Sequence, residues 1–183
     1  MPDSDRFGLI KVDETWAAVS VPCDWAPIVR AVLGSRGGPV YCDATTSHWV
    51  WPVPAGGAAG WPDLLRLGVP RYGPGELLLI PGKTGHNGTV WVNPPTAERA
   101  FTHPVLLREA LEFVLGPLDE AVKLGPVVVC RSCGAPIRDA VLIESFESPS
   151  GPGWDWYACR PCHREMLRGG PGRHLHIVRK GAR

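Results

Sequence analysis

The chain has 183 residues, a formal net charge of +1 at pH 7 and 44% hydrophobic residues. This length suits one medium domain followed by a small module, and the hydrophobic share is sufficient for a folded core. The near-zero net charge excludes a strong overall attraction to nucleic acids or membrane surfaces. Glycine and proline are frequent, with 22 and 20 residues, so we expect short strands, many turns and few long helices.

The ends of the chain and its apolar stretches bear on its location. The first residues are polar and acidic, unlike a secretory signal, and no apolar stretch is long enough to span a bilayer. We therefore expect a cytoplasmic protein without a membrane partner. Its six cysteines are then expected to stay reduced.

Short elements are predicted along the first 125 residues, after a loose acidic start over residues 1–14. Asp24 and Thr102 are expected to cap helices, because their side-chain oxygens can accept from the free N–H groups of a first turn. The last two predicted strands are expected to pair as a hairpin, and Pro52 is expected to place its strand at a sheet edge or a bulge. The predicted strands are 16–21, 40–42, 48–53, 76–80 and 89–92, and the predicted helices are 25–33, 105–115 and 118–124.

A boundary is predicted at Gly125-Pro126, where the pattern changes. Beyond it, residues 141–146 and 154–158 have the composition of two hairpin arms. The predicted fold class is α+β: a small mixed domain with a mainly antiparallel sheet over residues 1–125, a zinc-ribbon hairpin over 126–168, and a basic flexible tail over 169–183.

Two Cys-x-x-Cys pairs predict a metal site, and they are Cys130, Cys133, Cys159 and Cys162. Each pair places two thiolates on one tight turn, and two such turns form a tetrahedral sulfur cage. Because the protein would supply all four ligands, we expect a structural Zn²⁺. His163 is a competing ligand, and a redox dithiol or disulfides are the other interpretations. Cys23 and Cys42 are expected to be small buried apolar residues.

Basic residues dominate the chain from residue 160 onward, where only Glu165 opposes them. Scattered arginines on a mobile end can neutralise nucleic-acid phosphates, although a solvated flexible end is an equal interpretation. Trp154 and Trp156 can either stack on bases or pack against the larger domain. The predicted nucleic-acid-binding residues are Arg160, Arg164, Arg168, Arg173, Arg179 and Lys180.

Three short motifs lie in residues 46–54, 73–81 and 91–95: a small-x-His strand ending in Val-Pro, a glycine-led strand ending in proline, and Trp-x-x-Pro-Pro. In these motifs the stretch 38–95 resembles the N-terminal domain of bacterial bifunctional DNA primase/polymerases of the archaeo-eukaryotic primase type. The resemblance implies that His48 helps bind nucleotide phosphates. That family also has an Asp-x-Asp/Glu pair upstream for two metal ions, whereas Asp24 and Asp43 are isolated here. We therefore expect a reduced domain without polymerase chemistry.

These features predict a non-enzymatic accessory or regulatory protein that associates with nucleic acid, with DNA favoured. A first alternative is a protein–protein adaptor built on the zinc ribbon. A second is a small nucleotide-binding or nucleotidyltransferase enzyme that uses His48.

Overall fold

The computed structural model describes residues 8–82, 85, 88–148 and 151–168. Contacts divide the chain into two compact units, Met1–Val128 and Val129–Arg183, which are described separately. Helices and antiparallel strands both occur, so the predicted α+β class is confirmed. None of the helices in the described part of the chain has both the length and the apolar character needed to cross a membrane.

The first unit is built on a five-stranded antiparallel sheet in the order β5-β2-β4-β3-β7, and β1 and β6 form a separate antiparallel pair. Short 3-10 turns follow α1 and precede β5. The strands are β1 Gly8–Lys11, β2 Trp16–Pro22, β3 Val40–Asp43, β4 His48–Pro54, β5 Arg71–Tyr72, β6 Leu77–Ile80 and β7 Val90–Asn93; the helices are α1 Ala26–Leu33, α2 Pro104–Leu115 and α3 Leu118–Leu124.

The two faces of the sheet are both buried. Ala18, Tyr41 and Val50 belong to a core cluster that also contains Leu78 and Ile80 of β6, so the β1–β6 pair lies on this face. Alternation along a strand places Trp51, which is 1% exposed, on the opposite face. Trp51 and Leu33 of α1 line the same small cavity, which places α1 on that side.

The predicted hairpin between residues 76–80 and 89–92 is wrong. Strand β6 pairs with β1, with Leu78 opposite Ile10, and β7 pairs with β3, with Trp91 opposite Tyr41. The loose start is also wrong for residues 8–11, because they form β1. Its burial alternates, which is the pattern of a half-buried strand, but four residues are too few for the sequence to reveal it.

The predicted caps are wrong, although the helices themselves are confirmed. The N-cap positions are Trp25 for α1 and His103 for α2, and neither helix has a side-chain cap hydrogen bond. Both helices have a proline at their first positions, which lacks the N–H group that a cap would satisfy. Thr102 instead donates its hydroxyl to the Pro39 carbonyl at 3.1 Å.

The strand with Pro52 is internal, between β2 and β3, so its predicted edge position is wrong. Pro52 lies opposite Ala18 of β2, whereas the ladder to β3 covers only residues 48–50 of β4. The missing proline N–H therefore breaks no hydrogen bond of that ladder. The Pro52 carbonyl accepts from the Thr102 backbone N–H at 2.8 Å.

The second unit contains a long antiparallel hairpin and a helix. Strands β8 (Val128–Val129) and β9 (Pro136–Ile137) pair with each other, the first of them starting at the border between the units. The hairpin consists of β10 (Ala140–Ser148) and β11 (Gly151–Cys159), which confirms both predicted arms. Helix α4 (Arg160–Arg168) follows without a break, and the sequence analysis did not predict it.

Candidate metal centre

The first cysteine pair lies on a tight turn between β8 and β9. The Gly134 N–H donates to the Cys130 carbonyl, and the Cys130 N–H donates to the Ala135 carbonyl, both at 2.9 Å. Gly134 has φ 73°, a left-handed conformation that a residue without Cβ adopts at little cost. The turn directs Cys130 into the interior, where it is 1% exposed, while Cys133 stays exposed.

The second pair lies at the junction of β11 and α4. Cys159 is the last residue of β11, and Cys162 lies in the first turn of α4. The two pairs are held together by backbone contacts: Arg131 donates its N–H to the Tyr157 carbonyl at 2.8 Å, and Cys159 donates its N–H to the Cys130 sulfur at 3.4 Å. The start of α4 is therefore fixed beside the first turn.

All four sulfurs form one cluster. The Sγ atoms of Cys130, Cys133, Cys159 and Cys162 lie within 4.8 Å of one another. The Cys130 and Cys159 sulfurs are 3.8 Å apart, and a tetrahedron with metal–sulfur bonds of about 2.3 Å has edges of about 3.8 Å. This cluster can hold a metal ion, and an all-sulfur donor set suits zinc. His163 is not a member of the cluster.

Two thiols of the cluster have shifted pKa values, one lowered and one raised. Burial raises the pKa of Cys130, but hydrogen bonds from the backbone of Cys133, Cys159 and Ser132 outweigh burial and lower this pKa to about 6. The hydrogen bond with Cys159 is the main cause that raises the pKa of Cys162 to about 12. Backbone donors thus favour a negative charge at Cys130, as a cation site requires.

The described part of the second unit has almost no hydrophobic core. Among its described residues, only Cys130 and Ala158 are buried. A module of this size normally needs a metal or disulfides for stability, because apolar burial alone does not offset the conformational entropy. A metal ion in the cluster would therefore add a link that the described apolar contacts of this unit do not supply.

Trp156 packs inside the hairpin unit. The Arg131 guanidinium carbon lies 4.7 Å from the centroid of its ring, and Phe146 meets it edge to face at 4.6 Å. Both neighbours cover ring surface that a stacked base would need. The side chain of Trp154 lies outside the described residues, so its predicted alternatives stay open.

The predicted basic residues fall into three groups. Arg160 forms a two-point ion pair with Asp139, through its Nε and Nη2 atoms. Arg164 and Arg168 are exposed, four residues apart on α4, and have no acidic partner among the described residues. Arg173, Arg179 and Lys180 lie outside the described residues.

His48 begins β4, and backbone carbonyls face both of its ring nitrogens. Its Nδ1 lies 2.6 Å from the Thr46 carbonyl oxygen and its Nε2 lies 3.1 Å from that of Gly68. Asp43 is its cross-strand partner, but this carboxylate accepts hydrogen bonds from Thr45 and Thr46. These contacts organise the turn between β3 and β4.

The interpretation that no alternate acidic pair precedes His48 is wrong in one respect. Asp3 and Asp5 are separated by one residue, which is the spacing of the family's carboxylate pair. Both lie outside the described residues, so the structure does not place them relative to His48.

Cys23 and Cys42 are not fully buried as predicted, because both are half-buried. Burial raises the pKa of the Cys23 thiol to about 12, and a hydrogen bond with Cys42 adds to this effect. The two thiols are therefore neighbours. They lie in the first unit and take no part in the four-sulfur cluster.

No family model, curated protein or solved structure matches the chain. The resemblance of residues 38–95 to the primase/polymerase domain therefore stays a prediction. The cluster and its surroundings are the features that bear on function.

Proposed function

We propose that the protein is a non-enzymatic accessory or regulatory factor that binds nucleic acid through a zinc ribbon. One observation carries this proposal: Cys159 directly precedes α4 and Cys162 lies in its first turn, and the same helix presents Arg164 and Arg168 to solvent. An ion in the cluster would fix the direction of that helix. The cluster would then act as a structural element that positions two cations.

The donor set supports a structural ion over a catalytic one. Four cysteine ligands complete a tetrahedron, so no position is left for water or substrate. The ion would supply folding free energy on the order of 10 kcal/mol. Such a contribution would matter, because only Cys130 and Ala158 are buried among the described residues of this unit.

The charges on α4 support contact with phosphate groups. Arg160 pairs with Asp139, whereas Arg164 and Arg168 have no acidic partner among the described residues. The predicted tail over residues 169–183, which follows the ribbon predicted over residues 126–168, adds further basic residues. The resemblance to primase/polymerases favours DNA as the nucleic acid.

Salt-dependent binding tests this proposal. We would measure fluorescence anisotropy of labelled single-stranded and duplex DNA, and of RNA, at several salt concentrations. Loss of two phosphate contacts in the double variant Arg164→Ala/Arg168→Ala should lower the slope of log affinity against log salt by about 1.8 for duplex DNA. The matched control is Arg36→Ala/Arg66→Ala, which removes two exposed charges from the first unit.

Two results would contradict the proposal. One is the absence of measurable affinity at low salt, where phosphate neutralisation is strongest. The other is an equal change of slope in both double variants, because the positions on α4 would then have no special role.

A protein–protein adaptor is the second candidate, and exposed apolar side chains favour it. In the second unit, Leu142 is 51% exposed and Leu167 is 70% exposed. Exposed apolar residues of this size occur at protein-binding surfaces. A pull-down that recovers one defined protein, loses it with Leu167→Ser and contains no nucleic acid would select this function.

A further inference from the structure

A small polar cavity lies at the end of α1, in the first unit. It has a volume of about 190 Å³ and is lined by Arg30, Arg99, Asn93 and the glycine-rich segment that follows the helix. Trp51 forms part of its wall and is 1% exposed. The cavity therefore lies on the side of the sheet opposite to His48, which is three residues away along β4.

The charged side chains that line the cavity are all basic. Two of its lining residues are arginines, and none is acidic. Arg30 is exposed and has no ion-pair or hydrogen-bond partner for its guanidinium among the described residues. Uncompensated cations around one cavity attract an anion.

Arg99 is held in place by the loop that it faces. Its Nη1 donates to the carbonyls of Ser35 and Gly37 at 2.8 and 3.0 Å. These contacts use one nitrogen of the guanidinium, so Nε and Nη2 keep their donors for a ligand. The Asn93 side chain is fixed in a similar way, since its Nδ2 donates to the Gly38 carbonyl at 2.7 Å. These backbone contacts hold the Arg99 and Asn93 side chains in place before a ligand binds.

We propose that this cavity binds a phosphate group, either as inorganic phosphate or as part of a small phosphorylated molecule. A phosphate monoester carries a charge of about −1.5 to −2 at neutral pH, which two guanidinium groups balance. A single carboxylate would balance only one of them. Planar guanidinium groups also match the oxygens of phosphate through paired hydrogen bonds.

The surroundings leave room for more than a free ion. A second cavity of about 420 Å³ is lined by Asn93 and Arg99 as well, together with Pro94, Thr96 and Glu98. The two cavities therefore adjoin at Asn93 and Arg99. The second can accept the uncharged part of a phosphorylated molecule whose phosphate occupies the first.

Nuclear magnetic resonance titration of the full chain tests this site. The probes are inorganic phosphate and ribose 5-phosphate at constant ionic strength, and the readouts are the Trp51 indole and the Asn93 side-chain amide. We expect saturable shifts of both signals. Arg30→Ala should weaken phosphate binding at least about tenfold, since a charge-assisted contact is lost. Arg36→Ala is the matched control. Arg36 is exposed in the short turn that follows α1, and it does not line the cavity.

The outcomes can be distinguished from those of the nucleic-acid experiment, because Arg30 lies in the first unit whereas Arg164 and Arg168 lie in the second. Equal binding of both probes supports a site for phosphate alone, and tighter binding of ribose 5-phosphate with a shift at Thr96 supports use of both cavities. No saturable shift, equal weakening in Arg30→Ala and Arg36→Ala, or tighter binding of malonate than of phosphate would overturn the proposal. Arg30→Gln keeps most of the side-chain volume but removes the charge, so it should weaken phosphate binding as Arg30→Ala does.

Discussion

The sulfurs of Cys130 and Cys159 lie 3.8 Å apart, although the residues are 29 positions apart in the sequence. Cys130 directly follows β8, and Cys159 is the last residue of β11. An ion between them would link the turn after β8 to the junction of β11 and α4.

Metal removal is the first prediction. We expect one zinc ion per chain by elemental analysis, and we expect Cys162→Ser or a strong chelator to abolish binding. The second unit should then unfold while the first remains folded, because only the second contains the cluster and it has almost no apolar core. Amide spectra with assigned signals for each unit measure this. Cys42→Ser should keep the full zinc content; loss of zinc in that variant would contradict the assignment.

Gly38→Ala is expected to destabilise the first unit by about 1–3 kcal/mol. A Cβ at this position would lie 2.6 Å from the Thr102 Cα and 2.7 Å from the Phe101 carbonyl oxygen, so backbone atoms would have to move. Gly60→Ala is the matched control, since a Cβ there meets nothing within 4 Å. Denaturant unfolding measures both variants, and an equal effect of the two substitutions would show that this contact is not tight.

Tyr41→Phe should leave the first unit as stable or make it up to about 2 kcal/mol more stable. The Tyr41 hydroxyl is buried and has no hydrogen-bond partner among the described residues, whereas its ring packs edge to face on Trp91 at 5.2 Å. The substitution removes the unpaired group and keeps the ring. Thermal unfolding measures the change, and a clear loss of stability would reveal a partner for this hydroxyl.

Asp43→Ala is expected to destabilise the first unit by about 2 kcal/mol. The Asp43 side chain is 6% exposed and accepts from the Thr45 N–H at 3.0 Å and from the Thr45 and Thr46 hydroxyls at 2.6 and 3.0 Å. Asp43→Asn keeps one acceptor oxygen and should cost less. Denaturant unfolding followed by tryptophan fluorescence measures both, and a change below about 0.5 kcal/mol for Asp43→Ala would contradict the role of this carboxylate.

Cys23 should react slowly with thiol reagents at pH 9. Burial is the main cause that raises the pKa of this thiol from 9.0 to about 12, so little thiolate is present in the folded protein at that pH. Alkylation followed by peptide mass spectrometry measures the rate. The same reaction in denaturant, where Cys23 is exposed, is the control; equal rates would refute the raised pKa.

The raised pKa of Cys23 also makes the stability of the first unit depend on pH. The unfolded thiol loses its proton near pH 9.0, whereas the folded one keeps it up to about pH 12. Cys23 therefore stabilises the folded state below pH 9, and this contribution is lost as the pH rises towards 12. Cys23→Ala should make the free energy of unfolding less dependent on pH in this range.

Local patterns predicted the elements better than their partners. The helices over Ala26–Leu33 and Pro104–Leu115 and the arms of the hairpin were predictable because periodicity and flanking glycine or proline mark them. The pairing of β6 with β1 was not, because it depends on which distant strand covers the buried residues Leu78 and Ile80. A sequence gives no direct record of such a contact.

The candidate metal site was predictable because its ligands repeat at a fixed spacing within the sequence. Helix α4 could not be predicted in the same way, because its sequence is mostly polar and none of its residues is buried. The contacts that hold the two cysteine pairs together fix where this helix starts, and its own sequence does not mark that position. The cavity at the end of α1 could not be predicted either, because Arg30, Asn93 and Arg99 come together only through the sheet and the loop after α1.

The pairing of β1 with β6 also governs when the first unit can mature during synthesis. The ribosome releases Gly8–Lys11 long before Leu77–Ile80, so β1 has no partner strand for most of that interval. During this time the apolar side chains that β1 and β6 later cover, including Tyr41 and Val50, remain open to water. The nascent chain is therefore expected to depend on chaperones and to aggregate more readily when translation stalls before residue 80.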